Sequence, residues 1–122
     1  MDSDTNFRKI DSDTIFWTLD MAKLLVLYKH PQDPAHFQEY YFGTHVPLAK
    51  TLGGLRKFEV SAGPVATPQG ASQYHLVAQL TFDSMAEIGK ALASPQGQAT
   101  GADLANFATG GVDLLVFETT EV

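Results

Sequence analysis

The chain contains no cysteine, which excludes disulfide bonds, thiolate metal ligands and a cysteine nucleophile. Basic residues are also scarce: eight lysines and arginines stand against 14 aspartates and glutamates, and the net charge of −6 disfavours binding to a nucleic-acid backbone. No apolar run approaches the roughly 20 residues that span a bilayer, and the acidic, polar N-terminus differs from a secretory signal. We therefore expect a cytoplasmic protein that binds neither nucleic acid nor a membrane.

The residues that are present suit a single globular protein. Hydrophobic residues make up 44% of the 122 positions and charged residues 18%, which is typical of a folded domain rather than of a disordered chain. A chain of this length can bury one core without disulfide bonds. Residues 1–20 are interpreted as a polar N-terminal arm and residues 21–122 as the folded domain.

Four segments have the pattern of β-strands. The first is a continuous apolar run, and the others are rich in alternating, β-branched or aromatic residues. They are Lys23–Tyr28, Lys57–Ser61, Tyr74–Phe82 and Val112–Phe117. The segment between the second and third strands, Gly63–Gln73, is rich in glycine, proline, alanine and glutamine and predicts a long hairpin loop.

A helix is predicted after the first strand. Asp33 is a suitable N-cap, Pro34 suits the first helical position, and Gly53-Gly54 ends the helix. Spacings of four, three and four predict one buried face made of Phe37, Tyr41, Thr44 and Leu48. Because Pro47 has no N–H group, the helix is expected to loosen or kink just before it, around residues 44–46.

A second helical region is predicted after the third strand. Ser84 begins it as the N-cap of a capping box with Glu87. Its buried stripe is expected to be Met85, Ile88 and Leu92. Ser94-Pro95 ends this helix and starts another, which runs toward Phe107.

The order strand, helix, strand, strand, helix, strand is the ferredoxin-like βαββαβ arrangement of the α+β class. It predicts a four-stranded antiparallel sheet with its helices on one face. The first and last strands carry apolar residues at both parities, so the uncovered face is expected to be apolar as well. A homodimer in which two sheets pack face to face, a dimeric α/β barrel, would bury that face.

Six segments spread over about residues 21–120 have a recognisable order and spacing: Lys23–Tyr28, Phe37–Tyr40, His45–Ala49, Tyr74–Ser84, Ala93–Pro95 and Asp103–Phe107. Together they resemble the EthD domain family. The resemblance implies the dimeric α/β-barrel superfamily and an association with degradation of an alkyl ether, alongside an oxidising enzyme system. Superfamily relatives include cofactor-free monooxygenases, polyketide cyclases, lactone isomerases and haem-degrading enzymes.

His45 is the candidate catalytic residue, and the resemblance supplies much of the support for it. An imidazole beside a proline-disrupted turn can titrate near neutral pH and reach into a cleft. The structural alternative is that the ring satisfies a carbonyl left free by Pro47, that of Gly43 or a neighbour. Both interpretations stay open at the level of the sequence.

Tyr28 ends the first strand and Tyr41 lies on the apolar face of the first helix, and both are candidate substrate-binding residues. The alternative for Tyr28 is a tyrosine that is simply packed within its strand. Three further candidates, His75, Gln79 and Thr81, share one parity of the third strand. If this parity faces the barrel interior, the three side chains orient a mostly apolar ligand. If it faces the dimer interface, they form hydrogen bonds across that interface.

The leading hypothesis is a small-molecule-binding protein that oxidises, cyclises or isomerises a hydrophobic, aromatic or ether compound without a cofactor. The alternatives are a non-catalytic accessory protein of an oxygenase pathway and a haem-binding or haem-degrading protein. His36, Glu39 and Tyr40 have a helical spacing that could suit a metal ion. No second cluster completes a coordination sphere, so no metal site is expected.

Overall fold

The computed structural model describes residues 7–11 and 16–122. Its first two strands, β1 (Phe7–Asp11) and β2 (Phe16–Leu19), pair antiparallel with each other as a separate two-stranded sheet. Residues 1–6 and 12–15 of the expected N-terminal arm lie outside the described residues. The interpretation of residues 1–20 as an arm stays a prediction.

Four strands form the main sheet: β3 (Ala22–Lys29), β4 (Lys57–Val60), β7 (Tyr74–Phe82) and β8 (Val112–Glu118). Their order across the sheet is β4, β7, β3, β8, and every neighbouring pair is antiparallel. This confirms the predicted ferredoxin-like α+β fold. The predicted loop between β4 and β7 contains a short hairpin that the sequence pattern did not indicate, made of β5 (Ala66–Thr67) and β6 (Gly70–Ala71).

Two helical crossovers connect the strands of the main sheet. The first contains α1 (Pro34–Tyr40), a π-helical turn (Tyr41–His45) and α2 (Val46–Ala49), and the second contains α3 (Met85–Ala93), α4 (Pro95–Asp103) and a 3₁₀ turn (Leu104–Asn106). The predicted N-caps are confirmed, because the side chains of Asp33 and Ser84 accept hydrogen bonds from the backbone N–H groups of His36 and Glu87. Within the described part of the chain, no helix is both long and apolar enough to cross a membrane.

The core lies between the helices and one face of the main sheet. Alternate residues of β3 are buried on this face: Ala22, Leu24, Val26 and Tyr28. Phe37, Ile88 and Phe107 belong to the same buried cluster and come from the helical side. The alternation follows from the two-residue period of a strand, which sends one set of side chains toward the helices.

The buried stripe of α3 differs from the predicted one. Ile88 is buried as expected, but Met85 and Leu92 are 38% and 40% exposed, and Ala91 is buried instead. The reason is the tight turn into α4: a Cβ atom on Gly97 would overlap the carbonyl oxygen of Ala91. The two helices therefore pack with Ala91 facing inward, and the prediction for Met85 and Leu92 was wrong.

The first crossover departs from α-helical geometry over Tyr41–His45, which begins three residues before the predicted residues 44–46 and overlaps them. The N–H group of Val46 donates to the carbonyl of Tyr41, five residues earlier, which defines the π-helical turn. Four residues of an α-helix rotate by about 40° more than one full turn. The wider π turn accommodates one extra residue, so residues four positions apart stay on the same face. The buried face is therefore Phe37, Tyr41, His45 and Ala49. Thr44 is exposed and Leu48 only half-buried, so their predicted place on this face was wrong.

The opposite face of the main sheet is the open face, formed on β3 by half-buried residues: Lys23, Leu25, Leu27 and Lys29. The edge strand β8 adds Leu115 and Phe117, which pair with Leu25 and Lys23 and are 53% and 39% exposed. The open face is thus apolar along its β8 side, as the sequence predicted. Such an exposed apolar surface is typical of an interface.

A β-bulge in β7 changes which side chains face the helices. The register between β3 and β7 shifts by one residue at Lys29, which leaves His75 as the extra residue. Tyr74 then lies on the open face, where its hydroxyl donates to Asp113 over 3.1 Å. His75 packs edge-on against Phe37 on the helical side, with 4.8 Å between ring centroids. Simple alternation predicted the reverse for Tyr74 and His75, because it makes no allowance for an extra residue.

Candidate functional site

His45 ends the π-helical turn and Asp103 ends α4, and the fold brings their side chains together. His45 Nδ1 lies 2.8 Å from Asp103 Oδ2, and the two residues are 4% and 9% exposed. The structural role considered for His45, a hydrogen bond to the carbonyl of Gly43, is wrong. Its Nδ1 faces Asp103 and its Nε2 faces Tyr28.

The carboxylate of Asp103 is held by three side chains. Besides the bond to His45, its Oδ1 accepts from the hydroxyl of Tyr40 at 2.6 Å and from the amide of Asn106 at 2.9 Å. Burial raises the pKa of Asp103, but the hydrogen bonds from Tyr40, His45 and Asn106 outweigh this and hold the pKa below its ordinary value. Asp103 is therefore ionised at neutral pH and can only accept hydrogen bonds.

The ionised carboxylate determines the tautomer of His45. Because Asp103 can only accept, Nδ1 carries the proton and donates it, which leaves the lone pair on Nε2 available. Tyr28 Oη lies 3.5 Å from Nε2, a long hydrogen bond in which the tyrosine O–H donates. Burial lowers the pKa of His45, and the hydrogen bond and charge of Asp103 offset only part of this effect. His45 is therefore a neutral base at neutral pH.

Tyr41 packs against the same imidazole. Its ring lies 5.6 Å from that of His45 at an angle of 28°, and 5.4 Å from the ring of Tyr28. Tyr41 is fully buried, and its hydroxyl has no hydrogen-bond partner among the residues that the structure describes. Burial raises the pKa of Tyr41, and it raises that of Tyr28 together with smaller effects of Tyr41 and Asp103, so both hydroxyls stay protonated.

A cavity of about 70 Å³ lies between the helices and the main sheet, and Tyr28, Tyr41 and His45 line it. We call it the His45 cavity. The rest of its lining is mostly apolar and includes Leu24, Leu80, Leu104, Leu92 and Leu114. Leu92 and Leu114 are 40% and 48% exposed, so the cavity borders on the protein surface at these two side chains.

Two of the predicted substrate-binding residues lie away from this cavity. Gln79 and Thr81 are on the open face, where Gln79 contacts Glu59 at 3.4 Å and Thr81 accepts from Lys23 Nζ at 2.9 Å. The expectation that Gln79 and Thr81 orient a ligand beside His45 is therefore wrong. Their alternative role, hydrogen bonding across a dimer interface, stays a prediction.

The third of them, His75, lies in a separate cavity of about 550 Å³ with His30 and Gln38. His75 Nε2 is 2.9 Å from Gln38 Oε1, and its ring centroid is 6.0 Å from that of His30. Burial lowers the pKa of His75, and the charge of His30 lowers it further. No lining residue is shared with the His45 cavity, so His75 is not part of the site around His45.

Two of the three helical residues considered for a metal ion have other partners. His36 Nε2 donates to the carbonyl of Asn106 at 3.3 Å, and the hydroxyl of Tyr40 donates to Asp103. Among the described residues, no group of three or more histidine, aspartate or glutamate side chains is placed to hold a metal ion.

The EthD domain family matches residues 29–111, which is more than half of the chain. The chain belongs to the EthD domain family. An uncharacterised 11.0 kDa protein from the thcB–thcC intergenic region of Rhodococcus erythropolis is similar to it, with 44% identity over 95 residues, covering 78% of this chain and 91% of that protein. A solved EthD family structure from Bacillus halodurans has a TM-score of 0.75 and 34% identity, covering 82% of this chain and 99% of its own.

More distant structures share the fold of this EthD domain. A dimeric ferredoxin-like protein of unknown function from Bacteroides fragilis has a TM-score of 0.57 and 20% identity, with 81% of this chain and 96% of that chain covered. Hydroxynitrile lyase from Passiflora edulis has a TM-score of 0.67 and 14% identity, with 84% and 96% covered. At these identities the likeness supports the ferredoxin-like fold alone.

Asp103 is the residue of this EthD domain site that the sequence pattern did not reveal. It lies in the segment Asp103–Phe107, which contributed to the resemblance, but nothing local assigns it a function. One signal was available: a carboxylate at the C-terminal end of a helix opposes the helix dipole and needs compensating partners. Tyr40, His45 and Asn106 are those partners.

Proposed function

We propose that this EthD domain binds a small, largely apolar molecule in the His45 cavity and that His45 Nε2 transfers a proton to or from it. The observation that carries the proposal is the buried pair of Asp103 and His45 on the wall of a mostly apolar cavity, where Nε2 has only the long hydrogen bond from Tyr28. A positioned general base typically accelerates proton transfer by about 10²–10⁴-fold. This arrangement is the clearest acid–base group among the described residues.

Each neighbour of His45 has a distinct role in this proposal. Asp103 holds the imidazole in one tautomer and stabilises the imidazolium that forms when Nε2 takes a proton, as the aspartate does in Ser-His-Asp triads. Tyr28 Oη lies 3.5 Å from Nε2, a distance that a substrate atom can replace or shorten. Hydrogen bonds in active sites are often long before the substrate is bound.

Proton transfer at one carbon or oxygen atom is a step of isomerisation and of cyclisation, and it can also activate a substrate for oxidation. The proposed reaction is therefore a cofactor-independent member of these classes. The haem alternative fits the described residues poorly. His45 Nδ1 is occupied by Asp103, and Nε2 faces Tyr28 inside a cavity of about 70 Å³.

The size of the cavity limits the substrate. At about 70 Å³ it is much smaller than the roughly 300–1,000 Å³ of pockets for drug-sized ligands. It can hold a molecule of a few heavy atoms, or the reacting end of a larger one. A larger substrate would leave the cavity past Leu92 and Leu114, where the lining is exposed.

The second candidate function is a non-catalytic binding or accessory protein, and the small cavity favours it. An accessory protein would bind a compound at this site without changing it. We further propose a homodimer, which is supported by the exposed apolar β8 side of the open face and by dimeric structures of the same fold. A cytoplasmic location and a part in ether degradation stay predictions.

The decisive experiment measures the exchange of carbon-bound hydrogen for deuterium in D2O by NMR, with a panel of small ketones, nitriles and nitroalkanes. Binding of each compound is first followed by chemical-shift changes around His45. We expect exchange of at least one bound compound to be faster with the native protein than with His45→Gln by roughly 10²-fold. His30→Gln, which replaces an exposed histidine of the other cavity, is the matched control and should behave like the native protein.

Compounds that bind beside His45 but exchange at the same rate with and without the protein would support the accessory function instead. Equal exchange by native protein and His45→Gln would remove His45 from the mechanism. Circular dichroism and thermal unfolding of each variant ensure that a lost rate does not reflect a lost fold.

A further inference from the structure

Tyr41 lines the His45 cavity, and its hydroxyl group is buried and has no hydrogen-bond partner among the described residues. The two other tyrosines nearby are satisfied: Tyr40 donates to Asp103, and Tyr28 donates to His45 Nε2. Buried polar groups in folded proteins are paired in the large majority of cases, and an unpaired one needs an explanation. A group that waits for a ligand is one such explanation.

We propose that the Tyr41 hydroxyl donates a hydrogen bond to the carbonyl oxygen of the substrate, and that the substrates of this site are small, uncharged, mainly apolar carbonyl compounds. This deepens the proposed function and rests on a ligand bound beside His45. Of Tyr28 and Tyr41, Tyr41 has the O–H group that is available to donate to a substrate, because the O–H group of Tyr28 already donates to His45 Nε2.

The charge of the cavity argues for an uncharged ligand. The described residues that line it include no lysine and no arginine, so a bound anion would have no counter-charge among them. The negative charge of Asp103 lies directly behind His45 and repels an anion further. A cation would find no free carboxylate, since both oxygens of Asp103 are already hydrogen-bonded.

The juxtaposition of Tyr41 and His45 argues for a carbonyl group in particular. A carbonyl oxygen accepts the Tyr41 hydrogen bond, and the neighbouring C–H group is acidic enough to give its proton to a positioned base. When Nε2 takes that proton, the C–H electron pair forms a C=C bond and the negative charge moves to the oxygen. The Tyr41 O–H stabilises this charge. Return of the proton from His45 to the same carbon gives hydrogen exchange. In a β,γ-unsaturated carbonyl compound, return of the proton to the γ-carbon instead moves the C=C bond into conjugation with the carbonyl group, which completes an isomerisation in which all atoms and electrons balance.

Binding of a matched pair of probes tests the proposal. Cyclopentanone and methylenecyclopentane have nearly the same shape, but only the ketone has an oxygen that can accept a hydrogen bond. Their dissociation constants are measured by NMR titration of the native protein, Tyr41→Phe and Tyr74→Phe. Tyr74 lies on the open face with Asp113 as its partner, so Tyr74→Phe is the control for loss of a tyrosine hydroxyl elsewhere.

The informative quantity is the ratio of the two affinities in each protein, since the ketone loses more hydration than the hydrocarbon on binding. We expect the preference for the ketone to fall by roughly five-fold in Tyr41→Phe, the usual effect of one neutral hydrogen bond. It should be unchanged in Tyr74→Phe. An unchanged ratio in Tyr41→Phe, or no binding of either probe at the cavity, would overturn the proposal.

A parallel titration of His45→Gln separates this proposal from the proposed function. His45→Gln should keep the preference for the ketone, because Tyr41 is still present, while losing exchange of the hydrogens next to the carbonyl. If His45→Gln keeps full exchange while Tyr41→Phe loses the preference, the acid–base function fails and the role of Tyr41 stands. If Tyr41→Phe keeps the preference while His45→Gln loses exchange, only the role of Tyr41 fails.

Discussion

Asp103 Oδ2 and His45 Nδ1 lie 2.8 Å apart although 58 positions separate the two residues in the chain. Each residue ends a helical segment of a different crossover, so the pair forms only when both crossovers pack on the same face of the sheet. The contact is therefore a product of the tertiary fold. The contact also affects the protonation states of His45 and Asp103, and the first two predictions concern these states.

Asp103→Asn should move the pH dependence of His45 to lower pH. Burial lowers the pKa of His45 and the Asp103 carboxylate raises it, so removing the negative charge lowers it further. Exchange that depends on neutral His45 should then persist to lower pH than in the native protein, while its maximum rate falls because the tautomer is less well held. The measurement is the exchange rate against pH. Asp113→Asn on β8 is the control, and a shift toward higher pH in Asp103→Asn would contradict the assignment.

Acid should destabilise the protein partly through His45. Because its pKa is lowered on folding, neutral His45 contributes stability above its unfolded pKa of about 6.5, and this is lost as the pH falls through the folded pKa. The lowered pKa of Asp103 acts in the same direction at still lower pH. Urea unfolding at pH 7.5 and pH 5 should therefore show a larger loss of stability for the native protein than for His45→Gln. An equal loss in both proteins would show that His45 is not the titrating group.

Tyr41→Phe should stabilise the protein in the absence of ligand. The substitution removes a buried hydroxyl without a partner and keeps the ring that packs on Tyr28 and His45. Relief of its desolvation should raise the free energy of unfolding by about 1 kcal/mol. Tyr40→Phe is the matched comparison, since it deletes a 2.6 Å bond to Asp103 and should lower that free energy. Denaturant unfolding gives both values, and a destabilised Tyr41→Phe would mean that the hydroxyl has a partner.

Two glycines of α4 should respond to alanine in opposite ways. A Cβ on Gly97 would overlap the backbone carbonyls of Ala91 and Leu92, whereas a Cβ on Gly101 meets nothing within 4 Å. Gly97→Ala should therefore cost about 2 kcal/mol of stability or more through backbone displacement. Gly101→Ala should gain about 0.5–1 kcal/mol, because alanine is the better helix former. Thermal unfolding of the two variants compares them directly, and similar effects would refute the close packing of α3 and α4.

Leu115→Glu should break the proposed homodimer. Leu115 is 53% exposed on the open face, where a charge would oppose packing of two apolar sheets. Light scattering should give twice 13.3 kDa for the native protein and a value near 13.3 kDa for Leu115→Glu. Met85→Glu, at a 38% exposed position of α3, should remain dimeric. A native protein of 13.3 kDa at micromolar concentration would rule out the dimer.

The strands and their connections could be predicted because they depend on local periodicity. Tyr74–Phe82 has the same bounds as β7, and the order of elements was sufficient for the ferredoxin-like topology. Two of the misplaced side chains have a common physical cause. Thr44 lies in the π-helical turn, and His75 is the extra residue of the β-bulge. A prediction from a regular period makes no allowance for an extra residue.

The candidate site was predicted in part. His45, Tyr28 and Tyr41 line one cavity, as their positions near the end of β3 and on the first helix allowed. Asp103 was missed because a contact between residues 58 positions apart leaves no local pattern. The unsatisfied state of the Tyr41 hydroxyl is likewise a property of packing, which the sequence alone does not display.

The π-helical turn makes the first crossover one residue longer than its buried face requires. Gly43 lies within it, exposed and with open space beside its α-carbon. If Gly43 were deleted, Phe37, Tyr41 and the present His45 would be spaced by four and three residues, which a regular α-helix also places on one face. A relative with one residue fewer between the tyrosine and the histidine can therefore build the same site. An alignment of such relatives needs a gap at this turn, and without it the histidine equivalent to His45 would be read as absent.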